Sequence, residues 1–254
     1  MPGFAMCLAV FLCGLAAASL HAQQPPDDLG RLMQLSTDGA AKEGARSAAD
    51  WATHCRAQIQ SARSYRSLLI KRDFQMAHLA SRGFDYVEWR LEAAGDRLHV
   101  QQVIHEQPPL GELREERIAI GAEHFLGGNS WMKADAQSAA DYAELNRFLL
   151  LNKTAELLRA SKFNLLGVVA FEGRRYALLE TDAPHLAGYP MLSEFDEAKG
   201  RARIWIDAET GLPAKLEMEF KGKDSANGPL NKGFVQVFAG YNEPLNIAPP
   251  PVKR

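Results

Sequence analysis

Residues 203–221 read Arg-Ile-Trp-Ile-Asp-Ala-Glu-Thr-Gly-Leu-Pro-Ala-Lys-Leu-Glu-Met-Glu-Phe-Lys, and they commit this part of the chain to a sheet. After Pro213, the apolar residues Ala214, Leu216, Met218 and Phe220 alternate with Lys215, Glu217, Glu219 and Lys221. Successive side chains of a strand point to opposite faces, so this spacing predicts one dry face and one wet face. Before the turn, Ile204 and Ile206 fall on one side, and Arg203, Trp205 and Asp207 on the other. Asp207 to Gly211 supplies the turn: a carboxylate that can bond its own backbone and a glycine free to take positive φ.

The rest of the chain supplies what such a sheet needs. Ala45, Ala48, Trp51, Ala52, Cys55, Ile59 and Ala62 recur at steps of three and four, which predicts a helix over Ala41–Ala62 with a start signal at Thr37-Asp38. An extended stretch follows from Ser64, and further strands are expected at Phe84–Leu91, Arg97–Ile104, Glu116–Ile120, Phe163–Phe171, Tyr176–Thr181 and Gly233–Gly240. Shorter pairings are expected at His124-Phe125 and Trp131–Lys133. Turns are expected at Ala94–Asp96, Gly127–Ser130 and Glu172–Arg175, and loops at Gln107–Gly111 and Asp182–Gly200. Ala136–Ala160 interrupts the strand series with helical spacing, as two short helices broken near Leu151-Asn152. About nine antiparallel strands with so few helices give an α+β fold, a strongly curved sheet left as an unclosed half-barrel and covered by the N-terminal helix and the helical insertion.

Composition narrows the setting. Apolar residues make up 46% of the 254 and aromatics 9%, enough for a sizeable single core. A net charge of -2 without any polybasic run argues against nucleic acid and anionic membrane surface as partners. Residues 1–22 hold an uncharged apolar run, Phe4 to Leu20, that ends in small residues before polar Gln23. This predicts an export signal cleaved near Ala22, since the run is short for a membrane span. Residues 23–40 are expected as a flexible lead-in, 41–247 as one domain and 248–254 as a Pro-rich tail. Cys55 would then be the mature chain's single thiol, expected buried on its helix, with no internal disulfide to help the core.

Catalytic signatures are weak. His99 and His105 share a strand face, but no third ligand stands at metal spacing. Ser130 lies in Gly-Gly-Asn-Ser-Trp, which is not a nucleophile elbow. No glycine-rich phosphate loop follows a strand, and Glu115-Glu116 and Glu217/Glu219 fit solvated faces. The residues imply no cofactor, no metal and no enzyme; a Ser/His/Asp hydrolase is the weakest of three readings, because that geometry is recognised only in space.

Several segments carry a family resemblance. Cys55-Arg-Ala-Gln-Ile-Gln-Ser-Ala-Arg-Ser-Tyr65-Arg looks like a first helix running into a first strand. Glu116–Phe125 followed by Trp131-Met-Lys133, the hairpin Arg203–Pro213, and Phe234–Ile247 with its Tyr241-Asn and closing prolines complete the pattern. Together they resemble the periplasmic LolA/LolB-like lipoprotein-carrier superfamily and its LppX-type lipid-binding relatives. The early Arg-Pro stretch of the carriers is missing from Gly83–Arg90, and no position here matches their lid-gating arginine. The resemblance implies a periplasmic, non-enzymatic holder or carrier of a lipid, acyl chain or lipidated protein, with peripheral membrane contact compatible. Trp51, Ile59, Leu98, Val100, Phe148, Leu149, Ile204, Ile206, Leu216, Met218, Phe220, Val235 and Val237 are the expected ligand-binding residues. Phe148–Leu151, four consecutive apolar residues, form a candidate lid. The alternative is an envelope protein-interaction or regulatory module whose core is filled.

Overall fold

The hairpin forms as its alternation requires. A computed structural model describes residues 28–42, 46–73, 84–106, 112–127, 130–147, 149–184, 196–224 and 228–252. In it, β9 (Asp196–Asp207) and β10 (Pro213–Asp224) pair antiparallel, with Ile204 opposite Leu216 and Ala202 opposite Met218. Asp207 closes the turn: its Oδ1 accepts from the amides of Glu209 at 3.0 Å and Thr210 at 2.9 Å, and Gly211 takes a φ of 73°. The register slips at Pro213–Lys215, so Ala214 does not share the face of Leu216, Met218 and Phe220 as expected. It packs instead with Trp205, the result of one extra residue in one strand of a ladder.

The remaining strands are β1 (Ser64–Asp73), β2 (Phe84–Ala94), β3 (Arg97–Glu106), β4 (Glu112–Ile120), β5 (Glu123–Gly127), β6 (Met132–Lys133), β7 (Asn164–Phe171), β8 (Arg174–Thr181) and β11 (Gly228–Ala239). All pair antiparallel in one sheet, in the order β6-β5-β4-β3-β2-β1-β11-β10-β9-β8-β7. Among the described residues the edge strands β6 and β7 do not meet, so the sheet is an unclosed half-barrel. The strand count exceeds the expected nine through β5 and β6, which are too short to carry a periodicity of their own. The loop at 107–111, positions 128–129, residues 185–195, Phe148 and the expected export signal all lie outside the described residues.

Four helices accompany the sheet: α1 (Asp28–Leu32), α2 (Ala48–Ser61), α3 (Ala136–Arg147) and α4 (Leu151–Ala160). The long N-terminal helix begins later than expected. Ser47 is its N-cap, and Asp50 reaches back to complete a capping box, so two otherwise orphaned amides are satisfied. Trp51, Ala52, Cys55 and Ile59 are its buried stripe. They share one core with Tyr65, Leu69, Trp89, Leu91, Val100, Ile204, Ile206, Leu216, Met218 and Phe220.

Residues near both ends of the chain touch the sheet. Residues 28–42 seal the outer face of the sheet: Leu29 packs with Leu68 and Val237, and Leu35 with Trp205 and Leu178. Lys215 Nζ donates to the carbonyls of Met33 at 3.2 Å and Leu35 at 2.6 Å, and Trp205 Nε1 donates to Ser36 O at 3.0 Å. The face read as wet is therefore dry where this segment crosses it, because Leu29, Leu32, Met33 and Leu35 bring their own apolar cover. At the other end, Ile247 is buried, Arg97 Nη1 donates to its carbonyl at 2.9 Å, and Val252 forms a parallel bridge with Trp131.

Candidate functional site

Strand parity defines the inner face. Residues directly opposite in neighbouring strands point the same way. Val100 of β3, in the core under α2, therefore fixes Leu91 of β2 and Arg117 of β4 on the same side, and Leu126 of β5 with them. On β11 the inward residues are Phe234, Gln236 and Phe238. Val235 and Val237, expected there, point outward: Val237 packs with Leu29 and Leu68 on the far face. The pattern Phe-Val-Gln-Val-Phe is apolar in both registers, and the single polar residue suggested the wrong one. Gln236 is inside because its amide has partners there: Nε2 donates to Ser67 Oγ at 2.9 Å and to Leu149 O at 2.8 Å.

The inner face has two parts with different packing. Under α2 and α4 it is filled. Trp51, Ile59, Val100, Leu149, Ile204, Ile206, Leu216, Met218 and Phe220 are all buried in one cluster, with Leu98 half-buried against it. The hinge between α3 and α4 is pinned there: the Leu151 amide donates to Tyr65 Oη at 3.0 Å, and Leu149 O accepts from Gln236. Leu149 and Leu151 are thus core residues holding α4 down, with Leu151, Thr154, Leu157 and Leu158 buried along it.

Under α3 the packing is looser. Asp135 caps this helix, its Oδ1 accepting from the Ser138 amide at 2.7 Å, which holds the Asp135 carboxyl below its ordinary value. None of the side chains described on α3, residues 136–143, is buried. On the inner sides of β2 to β5, Val87, Leu98, Gln102, Ile104, His124 and Leu126 are only half-buried, Val87 and Leu98 against the edge of the filled core. Tyr142 lies over the Arg117 guanidinium at 4.9 Å. Arg117, 4% exposed, was not singled out by sequence, nor were Trp89, Leu91, Phe234 and Phe238. Gln102 Oε1 accepts from Trp89 Nε1 at 3.0 Å and from Arg117 Nη2 at 3.3 Å.

Two clefts lie elsewhere. One of about 500 Å³ runs past Asp28, Arg31, Glu172, Arg174 and Asp207, whose charges pair with each other: Arg31 with Asp28 and Glu172, Arg174 with Asp207. Self-paired charges leave little field for a charged ligand. The other, of about 310 Å³, sits on the outer face between Met33, Ile70, Lys215 and Val235. Among the described residues no cluster of His, Cys, Asp and Glu is arranged to hold a metal ion, and no helix is long and apolar enough to cross a membrane.

No family model matches the sequence, and no curated protein matches it. Solved structures do. LprF from Mycobacterium bovis superposes with a TM-score of 0.53 at 11% identity, over 80% of this chain and 96% of that one. Lipoprotein LppX from Mycobacterium tuberculosis gives 0.49 at 11% identity, over 79% and 98%. A LolA-superfamily protein from Nitrosomonas europaea gives 0.26 at 11% identity, over 78% and 93%. The likeness to LprF is one of fold.

Proposed function

We propose that this chain is a periplasmic, non-enzymatic binding or carrier protein for a lipid, an acyl chain or a lipidated protein, exported by residues 1–22. The ligand lies on the inner face of β2 to β5 beneath α3. One observation carries this: apolar residues on the concave side of a half-barrel stay half-buried, while the helix that meets this face through Tyr142 and Arg117 buries none of its described side chains. An ordinary core would bury both partners. Here Ile104 and Leu126 are left with apolar surface to cover, beside Val87 and Leu98 at the edge of the core, and α3 can lift because its neighbour α4 carries the anchoring contacts. Each methylene a ligand buries there contributes about 0.8 kcal/mol, so an acyl chain of ten carbons supplies ~8 kcal/mol before the entropic cost of binding.

The shared fold with LprF and the resemblance to lipid-binding lipoproteins support the same assignment. Native mass spectrometry of protein purified from the cell envelope tests it. Co-purified lipid mass, removed by organic extraction and restored by added fatty acid, is expected. Protein that carries no lipid and does not enhance the fluorescence of a hydrophobic dye after extraction contradicts it, and favours the filled-core interaction module instead.

A further inference from the structure

Arg117 is a buried cation that makes no salt bridge among the described residues. Its side chain stands on the inner face, opposite Val100 and Leu126, and is 4% exposed. Its polar contacts are few. Nη2 makes one long hydrogen bond to Gln102 Oε1 at 3.3 Å, an acceptor already shared with Trp89. The Tyr142 ring covers it at 4.9 Å. Nε and Nη1 have no hydrogen-bond partner, and among the described residues no carboxylate stands within ion-pair distance. Glu115, two residues along the same strand face, is exposed and outside salt-bridge distance, and its charge offsets the cost of burial only in part. Burial accordingly pulls the guanidinium below its ordinary value. A guanidinium stays charged even so, and a buried charge left without partners is strongly unfavourable. Stability alone gives no reason to keep it on an apolar surface.

We propose that Arg117 receives the anionic head group of a single-chain amphiphile, a carboxylate or phosphate ester, whose tail runs along Leu98, Ile104 and Leu126 beneath α3. This rests on the lipid-binding role above and deepens it by naming the ligand class. The free Nε–H and Nη1–H donors supply charge-assisted hydrogen bonds to the head group, which are among the stronger ones available to a protein. Gln102 and Tyr142 hold the guanidinium in place, so Tyr142 joins α3 to the presence of the head group.

Displacement of a hydrophobic dye from the lipid-extracted full-length chain tests this, with dodecanoate, dodecyl phosphate, dodecanol and inorganic phosphate as ligands. The two anionic amphiphiles are expected to bind roughly tenfold or more tightly than dodecanol, in line with a charged hydrogen bond, and inorganic phosphate not to compete. Arg117→Met is expected to abolish that preference while dodecanol binding persists, and to raise the melting temperature of the ligand-free protein by removing an unsolvated charge. Arg117→Lys is expected to keep part of the preference. The wild-type ligand series stands whether or not the variants fold. Equal affinity for dodecanoate and dodecanol overturns the head-group assignment and leaves the lipid-binding role intact. Competition by inorganic phosphate as strong as by dodecyl phosphate overturns the amphiphile. A lower melting temperature of Arg117→Met with unchanged ligand preference marks Arg117 as structural and overturns the inference. Binding of none of the dodecyl compounds removes the functional role itself.

Discussion

Gly211 occupies a position where any side chain is strained. Its φ of 73° lies in the left-handed region, and a Cβ there would come within 2.3 Å of His54 Nε2 on α2. The β9–β10 turn is therefore packed directly against the helix that caps the core. Gly211→Ala should lower stability by about 1–3 kcal/mol, through backbone strain and the displaced histidine, as measured by urea denaturation. The nearby thiol has a different consequence. Burial pushes Cys55 up from 9.0 to about 12 and Tyr65 up from 10.0 to about 12. In the unfolded chain both ionise earlier, so between about pH 9 and pH 12 the folded state holds more protons and stability falls as pH rises. The melting temperature is expected to decline from pH 9 upward, and Cys55→Ala to delay the onset to about pH 10, where Tyr65 begins to contribute. At neutral pH Cys55 stays a protonated thiol and should react with a water-soluble thiol reagent only after denaturation.

The two inserted helices illustrate what a periodicity can and cannot convey. Their existence and the break between them were legible, because Ala140, Ala143, Leu145, Leu157 and Leu158 keep helical steps. Which one is anchored was not. That depends on Tyr65 and Gln236, polar residues on strands far away in sequence whose hydrogen bonds fix the Leu149–Leu151 hinge. Leu149 to Leu151, expected to be a lid, belong to the anchored side for that reason. Tyr65→Phe leaves the buried Leu151 amide without its acceptor and should cost about 1–2 kcal/mol. Hydrogen exchange should then speed up at the first turn of α4. In the wild type, α3 amides should exchange faster than those of α4, since α4 alone has buried side chains among those described. Equal protection of the two helices would remove the basis for a movable α3. The same kind of blindness affected β11, where valines and phenylalanines are both apolar and only the partners of Gln236 decide which set faces inward.

Taken as a molecule, the chain is one antiparallel half-barrel with a different cover on each face. The class and most strands followed from alternation and turn chemistry. The outer cover did not, because residues 28–42 are too short and too mixed in polarity to announce what they pack against; Leu35 and the two carbonyls that receive Lys215 reveal it only in space. The inner face was legible in part, since Leu98, Val100, Ile204, Ile206, Leu216, Met218 and Phe220 share the face that parity assigns them, most of them as filled core. Arg117 was not, because an arginine in Arg-Glu-Glu-Arg-Ile reads as part of a solvated face. On the proposed reading, the packing contrast across the inner face leaves the half-barrel room for a guest on one side and a rigid core on the other. A stearate carrying a nitroxide near its tail, added to the isotopically labelled protein, tests this most directly by NMR. The account predicts paramagnetic broadening of the amides around Leu98, Gln102, Leu126 and Tyr142, with those of Leu29, Leu68 and Val237 unaffected. Broadening confined to the outer face, or absent altogether, would contradict it.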